Sequence, residues 1–581
     1  MKQAVLWKMS RQVLRLCQEI ELIVQVVLHI NVPCVLSLTM KMIILDELLL
    51  HVGKEDIEIP DNDAPTTFKK IYGRPDASNW MQAIQAENAS IDSHAVFQIV
   101  EQLPLGKKPI KVKYIFKRKD NGRYKARLVA MGYSQVPGLD FNETYAPVVS
   151  KQSLRTLFAL ASVEQWNIFQ MDVKTAFLHA PLQEDIFIEA CDGMQVPKGT
   201  ILKLMKSLYG LKQAPREWYL QLSKFITDQG YTKSKIDAGV YFKGSGADKI
   251  IISVYVDDIL IFGGNRVTDE ILDLKRKLDN QFKLDDLGMV KNILGMEVER
   301  KNDLVYLCQN KYLNKQFTKF RLPSTPQQRK AVPITKAAYA EVVDTNAKRS
   351  TSVLDKKEYP FRSLIGSLLY ANICSRPDIS FALSTLASHN SDPRLMHWNA
   401  LLDLLRYLRD TQEHKITYGK LSENDTKNIL SVYADADFAM DTVGRKSRTG
   451  YVIFLNGGVV AWNSSLQSTV AQSTSEAELY SMVEAVNAAM QLKHFLEEIG
   501  FPQGALQCHE DNTGCIDWIV NQRASSRMKH IEVKYHVLRE LHEKMLCKFS
   551  HIDTKRQRAD FATKQMDYAT LNPQMNMLYN K

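Results

Sequence analysis

The chain has 581 residues, with 75 Lys and Arg against 65 Asp and Glu, for a formal net charge of +10. That length exceeds a single hydrophobic core and predicts about two to four domains, while the moderate basic excess favours a polyanionic partner without excluding a plain basic enzyme. The eight cysteines, at positions 17, 34, 191, 308, 374, 508, 515 and 547, include no C-x-x-C pair, which argues against a zinc site or a disulfide framework and fits a reducing compartment.

The stretch from about Leu22 to Leu50 is apolar, but Gln25, His29, Asn31, Pro33 and Lys41 interrupt it. It therefore reads as neither a membrane span nor a signal peptide, and an amphipathic extension or a segment without a selected fold is expected instead. From Pro75 a domain begins, with a helix expected over Asn79–Asp92. Strand-like runs at Lys113–Lys119 and Tyr124–Met131 flank Asp120-Asn121-Gly122-Arg123, and Asn-Gly suits a tight reversal because both residues tolerate positive φ. Lys125 and Arg127 share one face of the second strand, so both can reach one triphosphate; a solvated charged hairpin is the alternative. Trp166–Val173 reads as an apolar strand ending on Asp172. Gly210 and Pro215 shape a turn before a helix predicted over Glu217–Gln229.

Tyr255-Val256-Asp257-Asp258 places two adjacent carboxylates between the apolar runs Ile251–Val256 and Ile259–Phe262. Like charges against a buried sheet raise each other's pKa or call for a divalent cation, and oxygen ligands favour Mg²⁺ or Mn²⁺; a solvated Asp-Asp turn is the local alternative. Asp172 supplies a third acid. Three carboxylates from neighbouring strand ends can hold two metal ions for in-line phosphoryl transfer to a 3′-hydroxyl.

Further along, Asp269–Phe282 reads as an amphipathic helix and Asn292–Glu299 as a strand, whereas residues 301–425 show no chemical constellation. Leu322–Lys336 and Asp344–Lys357 read as linkers or surface loops. The pattern then restarts. Ile429–Asp435 is a strand ending on an acid, Tyr451–Leu455 and Val459–Trp462 complete three antiparallel strands, and Ser473-Thr474-Ser475-Glu476 opens a capped helix that stops at Gly500. Glu478 lies on its first turn, the strand Ala505–Glu510 delivers Asp511, and a short helical stretch at Arg558–Lys564 delivers Asp560. Four carboxylates from separate elements can again bind two metals, here activating water against a phosphodiester. Glu476, Asp437 and Glu510 lie near enough to compete; Glu478 is preferred over Glu476, which is better employed as a cap.

Several of these segments resemble Ty1/copia-type retrotransposon Pol, in its reverse transcriptase and ribonuclease H portion. Tyr124-Lys125-Ala126-Arg127-Leu128-Val129-Ala130-Met131-Gly132 is similar to that family's Y-K-A-R-L-V-A-K-G fingers hairpin, with Met131 in place of Lys. Ser207–Tyr219 follows S-L-Y-G-L-K-Q-x-P-R-x-W-Y, Asn292–Glu299 resembles F-L-G-I-E-V, and Phe361–Tyr370 with Ser375–Ile379 resemble the connection region. Y-A-D-A-D-F-A, S-T-S-E-A-E-L-Y, E-D-N and R-A-D-F-A-T-K resemble the ribonuclease H acids' settings; Lys529-His530, Tyr535-His536 and His551 also match family blocks, with packing or surface roles as the alternative.

The resemblance implies an α+β, multidomain chain: a right-hand polymerase with fingers, palm and thumb, then a connection region and an RNase H-like α/β domain. The expected divisions are a poorly ordered extension over 1–74, fingers and palm over 75–300, thumb and connection over 301–427, the RNase H-like domain over 428–566 and a tail over 567–581. Implied metal and catalytic residues are Asp172, Asp257 and Asp258 for polymerisation and Asp435, Glu478, Asp511 and Asp560 for hybrid cleavage, with two Mg²⁺ (or Mn²⁺) ions per site. Lys125 and Arg127 would hold phosphates, Tyr209 and Gly210 would line the nucleotide, and Phe177 would exclude a ribose 2′-hydroxyl, an ordinary core phenylalanine being the alternative. Expected partners are an RNA template, a DNA primer, an RNA-DNA hybrid and dNTPs, with no membrane, in an intracellular setting that is cytoplasmic, in a retroelement particle, or nuclear. No knuckle, protease triplet or integrase zinc pattern precedes Pro75, so the chain is expected to be the C-terminal part of a polyprotein, or a genomic fragment of one, behind an unrelated leader from Met1 to about Asp61. A rival expectation is a decayed or co-opted element that binds nucleic acid without catalysis; another is a polymerase without a nuclease.

Overall fold

The computed structural model describes residues 64–119, 122–322, 329–344, 346, 348, 351–421, 426–521 and 532–580. Most of the expected extension, the Asp120-Asn121 pair, part of the Leu322–Lys336 linker and Lys529-His530 lie outside the described residues.

Two sheets are built from the first half. In chain order come helix α1 (Ala77–Ser93), strands β1 (Phe97–Ile99), β2 (Ile110–Arg118) and β3 (Tyr124–Ala130), helix α2 (Lys151–Val163), β4 (Asn167–Val173), the single turn α3 (Ala176–His179), β5 (Pro181–Glu189), β6 (Ile201–Lys206), α4 (Ala214–Asp228), β7 (Thr232–Lys233), β8 (Val240–Lys243), β9 (Ile250–Tyr255), β10 (Asp258–Gly263), α5 (Thr268–Phe282) and β11 (Leu284–Met289). The first sheet runs β1-β6-β5-β2-β3 and the second β11-β4-β10-β9-β8-β7. Period-two burial governs the first: β3 buries Ala126, Leu128 and Ala130 and leaves Lys125, Arg127 and Val129 on its other face. Trp80, Ile84 and Ile91 on one stripe of α1 complete that core. The central strands β9 and β10 of the second sheet are instead nearly continuous apolar runs, broken only by Ser253 and the terminal Asp258, because both faces are covered. β9 is buried at every position and β10 at every position but Asp258. α4 and α5 close one side through Trp218, Leu222, Ile271 and Phe282, and α2 meets the sheet through Phe158, whose ring lies edge-on to Phe262 at 6.0 Å.

The expected single strand at Asn292–Glu299 is instead a hairpin. β12 (Asn292–Ile293) and β13 (Met296–Lys301) pair antiparallel across Leu294-Gly295, both left-handed at φ +50° and +66°. Such a reversal is normally written with Asn, Asp or Gly first; here the Tyr370 hydroxyl holds the Leu294 carbonyl at 2.5 Å instead. β14 (Leu304–Cys308) continues this sheet. Helices α6 (Asn310–Lys319), α7 (Lys336–Val343), α8 (Phe361–Cys374), α9 (Ser380–Ala387) and α10 (Leu395–Asp410) share one core before β15 (Ile416–Tyr418) rejoins β14. Inside this region Arg376 makes a two-pronged, fully buried contact with Asp378 at 3.0 and 2.7 Å. The Asp378 carboxylate also accepts from the Tyr407 and Tyr579 hydroxyls.

The remainder is β16 (Ser431–Asp437), β17 (Arg448–Leu455), β18 (Gly458–Leu466), α11 (Thr474–Glu498), β19 (Leu506–Glu510), α12 (Thr513–Val520), α13 (Glu532–Glu543), β20 (Cys547–His551) and α14 (Tyr568–Leu578). The sheet order is β18-β17-β16-β19-β20, antiparallel among the first three and parallel from β16 onward. The helical stretch expected at Arg558–Lys564 is only a 3-10 turn over Asp560–Ala562, since so short a segment gains too few bonds to nucleate an α-helix. Residues read as a tail carry α14, which buries Leu571, Met575 and Leu578 and leads into Tyr579. Among the described residues no helix is long and apolar enough to cross a membrane.

Helix α2 joins the halves. Every residue from Lys151 to Ser162 except Gln152 is buried. Its Arg155 donates to Val460 O at 2.8 Å and Ile373 O at 2.6 Å, with its guanidinium 4.1 Å from the Trp462 ring centroid.

Candidate active sites

The first acid cluster follows from strand register. Asp258 pairs with Asp172 across β10 and β4 and with Tyr255 across β10 and β9, leaving Val256-Asp257 as a two-residue turn. The structure thus brings the ends carrying Asp172, Asp257 and Asp258 together, and all three residues are half-buried. Val256 sits at φ +58°, an outlier for a β-branched residue. Two bonds pin the turn: Trp218 Nε1 donates to Val256 O at 2.7 Å, and Val173 N donates to Asp257 O at 3.0 Å. On the other side of β4, Asp285 is also in register with Asp172, but Lys174 takes it as an ion pair at 2.6 Å. Like charges directly opposite on a sheet repel, and an oxygen-only set of three carboxylates suits a hard divalent cation.

A basic and aromatic wall accompanies this cluster. The Arg127 guanidinium lies 4.6 Å from the centroid of Tyr209, whose ring meets Phe177 edge-on at 5.1 Å. Burial pulls the Lys125 ammonium down to about 8, with repulsion from Arg127 and Lys119 added and attraction from Glu87 and Asp172 opposing. Burial pushes the Tyr209 hydroxyl up to about 12. Gly210 is left-handed at φ +86°, and a Cβ there would overlap Ala130 O; a Cβ at Gly132 would in turn overlap Gly210 O. These two glycines let the 207–213 loop lie flat against β3, where Ala130 N donates to Tyr209 O at 2.7 Å. Gln213, fully buried, accepts from Gln135 and donates to Asp140 O, both at 2.9 Å.

The second cluster draws on four elements. Asp435 on β16, Glu478 just past the first turn of α11 rather than on it, and Asp511 after β19 bring ligand oxygens all within 4.8 Å of one another. Asp560 stands outside this group and is joined to it by Lys564, whose ammonium lies 3.0 Å from Asp435 and 2.9 Å from Asp560; the Thr563 hydroxyl donates to the other Asp435 oxygen. Burial, with the charge of Asp560 added and Lys564 opposing, raises Asp435 to about 7. Burial together with Glu510, Asp435 and Asp511 pushes Glu478 well above the usual carboxylate range. Glu478 Oε2 and Glu510 Oε2 are buried without a hydrogen-bond partner. Stranded carboxylates crowded in a low-dielectric site fit a divalent cation.

Glu476 is employed at the helix start: its N–H donates to Ser473 Oγ, while its carboxylate accepts from Gln472 N and the Tyr480 hydroxyl at 2.8 and 2.7 Å. Its back-bond reaches Gln472 rather than the Ser473 N–H of a regular capping box. Glu510 caps Asp511 N and Asn512 N, both at 3.1 Å. His536 and His551 are exposed. Sequence reasoning missed Trp218 and Lys564. Both stand inside quoted motifs, but an indole bond to a backbone carbonyl 38 residues away leaves no local pattern.

Residues 94–336 match the family described as "Reverse transcriptase (RNA-dependent DNA polymerase)". The chain is 38% identical over 527 residues to the "Retrovirus-related Pol polyprotein from transposon TNT 1-94" of Nicotiana tabacum, covering 88% of this chain and 39% of that relative. It is 33% identical to that from transposon RE2 of Arabidopsis thaliana, covering 84% and 33%, and 26% identical to the "Transposon Ty1-DR5 Gag-Pol polyprotein" of Saccharomyces cerevisiae, covering 80% and 26%. The chain therefore carries a reverse transcriptase domain. It is similar over most of its length to the Pol polyproteins of copia-type transposons and spans about two fifths or less of the length of the curated relatives it matches. Reverse transcriptases generally use divalent metal ions, and such a domain implies nucleic-acid partners such as an RNA template and a primer.

Proposed function

We propose that the chain is an RNA- and DNA-templated DNA polymerase coupled to a ribonuclease H, copying retroelement RNA into DNA in an intracellular, cytoplasmic particle. The observation that carries the polymerase reading is the in-register pairing of Asp258 with Asp172 beside a turn holding Asp257, next to the Lys125, Arg127, Tyr209 and Phe177 wall. Two Mg²⁺ (or Mn²⁺) ions bound at each cluster would supply charge neutralisation and activation of the attacking oxygen. The chain's own contribution is placement. Asp172, Asp257 and Asp258 would hold the ions, Lys125 and Arg127 would take the triphosphate, and Phe177, braced by Tyr209, would stand against a 2′-hydroxyl. Tyr209 and Gly210 form the loop lining the nucleotide.

The nuclease reading is supported by the second cluster and by a five-stranded sheet that turns from antiparallel to parallel at β16, the strand carrying Asp435. There Asp435, Glu478 and Asp511 would hold the ions, with Asp560 held ready by Lys564. Primer extension on an RNA template with Mg²⁺ tests the first reading: folded wild-type protein extends the primer and Asp257→Asn does not. Cleavage of an RNA-DNA hybrid that disappears in Asp511→Asn, with extension retained, tests the second.

A further inference from the structure

We infer that Trp218 is a positioning residue for the first acid cluster, its indole N–H clamping the Val256-Asp257 turn in the left-handed conformation that sets Asp257 beside Asp172 and Asp258. This rests on the polymerase reading above. A two-residue link between β9 and β10 takes positive φ at its first residue, and Val256 supplies it at +58°. A β-branched side chain resists that conformation, which persists only where the surroundings over-determine it.

They do so through both peptide carbonyls. Trp218 Nε1 holds Val256 O at 2.7 Å, and Val173, the residue after Asp172, holds Asp257 O at 3.0 Å. The donor itself cannot swing away. Trp218 is 1% exposed, its ring edge-on to Phe282 at 5.1 Å, and Phe282 is wedged in turn against Phe225 at 5.2 Å. Withdrawing the Val256 carbonyl would strand a buried N–H, so each partner enforces the other's place. The same loop-and-helix segment carries Tyr209 at its start and Trp218 on α4, so the nucleotide wall and the acidic turn hang from one piece of chain. A small shift of this turn displaces Asp257 against Asp172, and a site for hard cations tolerates little such displacement. With Asn at 256, which visits the left-handed region readily, the clamp would be dispensable.

The test is single-turnover nucleotide incorporation on a primed RNA template, measured as maximal rate and nucleotide Kd. Four proteins are compared: wild type, Trp218→Phe, Trp218→Phe/Val256→Asn, and a protein with sulfur replacing the indole N–H of residue 218 in an otherwise isosteric benzothienyl side chain. Trp218→Phe and the sulfur isostere are expected to lower the maximal rate by about tenfold to a hundredfold, the equivalent of one buried hydrogen bond, and to raise the Mg²⁺ half-saturation concentration. Nucleotide Kd should stay within about twofold, and Val256→Asn should restore most of the lost rate. Wild-type rate in the isostere, which leaves no cavity, overturns the inference, as does a double variant no faster than Trp218→Phe. Failure of wild-type protein to incorporate nucleotide overturns the polymerase reading instead.

Discussion

Lys125 stands on the outward face of β3 with its ammonium pulled down to about 8 by burial and by Arg127 and Lys119. Its charge is present below that pH and lost above it, so nucleotide affinity should weaken as pH rises from 7 to 9. Lys125→Arg, charged throughout, should flatten the profile; nucleotide Kd from single-turnover rates checks both. The second cluster shows the opposite sense. Burial raises Asp435 to about 7 and, with the neighbouring carboxylates, holds Glu478 well above the usual carboxylate range, so the folded state holds more protons than the unfolded one between about pH 4 and 7. Stability in chelator should therefore be greatest on the acidic side and fall as pH climbs through 7. Mg²⁺ binding should tighten over the same range with proton release. Thermal midpoints in EDTA from pH 5 to 8, and calorimetry in buffers of different ionisation enthalpy, read the two effects. These acids were legible in sequence because each ends an apolar strand or starts an apolar helix, where a charge stands out. Lys564 was not, because the link it makes between Asp435 and Asp560 exists only after β16 and the Asp560 turn meet.

At the scale of elements, periodicity found what periodicity governs. Alternation marked β3, and nearly continuous apolar runs marked β9 and β10, whose two covered faces leave few polar positions. Hairpins set by tertiary bonds were hidden: Leu294-Gly295 offers no Asn or Asp, and Tyr370, 76 residues on, holds the reversal. The buried Arg376–Asp378 pair escaped for the same reason, since its value comes from Tyr407 and Tyr579, which are remote in sequence. The loop around Gly210 makes a sharper claim. With φ +86° and the Ala130 carbonyl where a Cβ would lie, Gly210→Ala should cost about 2 kcal/mol or more. It should also displace Tyr209, whose carbonyl accepts from Ala130 N. A denaturant midpoint and nucleotide Kd measured on one sample would separate a stability loss from a displaced wall.

In the whole molecule, α2 carries none of the sequence motifs, yet it is buried on nearly every side and packs against strands of three sheets. Arg155 ties it to Val460 and Ile373, which neither its neighbours nor its spacing announce. Arg155→Met keeps the stem but strands those carbonyls and the guanidinium's place over Trp462, at a cost of about 1–3 kcal/mol per unsatisfied group. Scanning calorimetry is expected to show one main transition for the wild type and two for Arg155→Met. The central claim is that two acid clusters in one folded chain do two phosphoryl transfers. One experiment addresses it directly: a 5′-labelled DNA primer on a separately labelled RNA template, incubated with dNTPs and Mg²⁺ and with wild-type, Asp257→Asn or Asp511→Asn protein. Extension with template cleavage in the wild type, cleavage alone in Asp257→Asn and extension alone in Asp511→Asn are predicted; folded wild-type protein that neither extends nor cleaves, or variants that retain the activity each should lose, would contradict it.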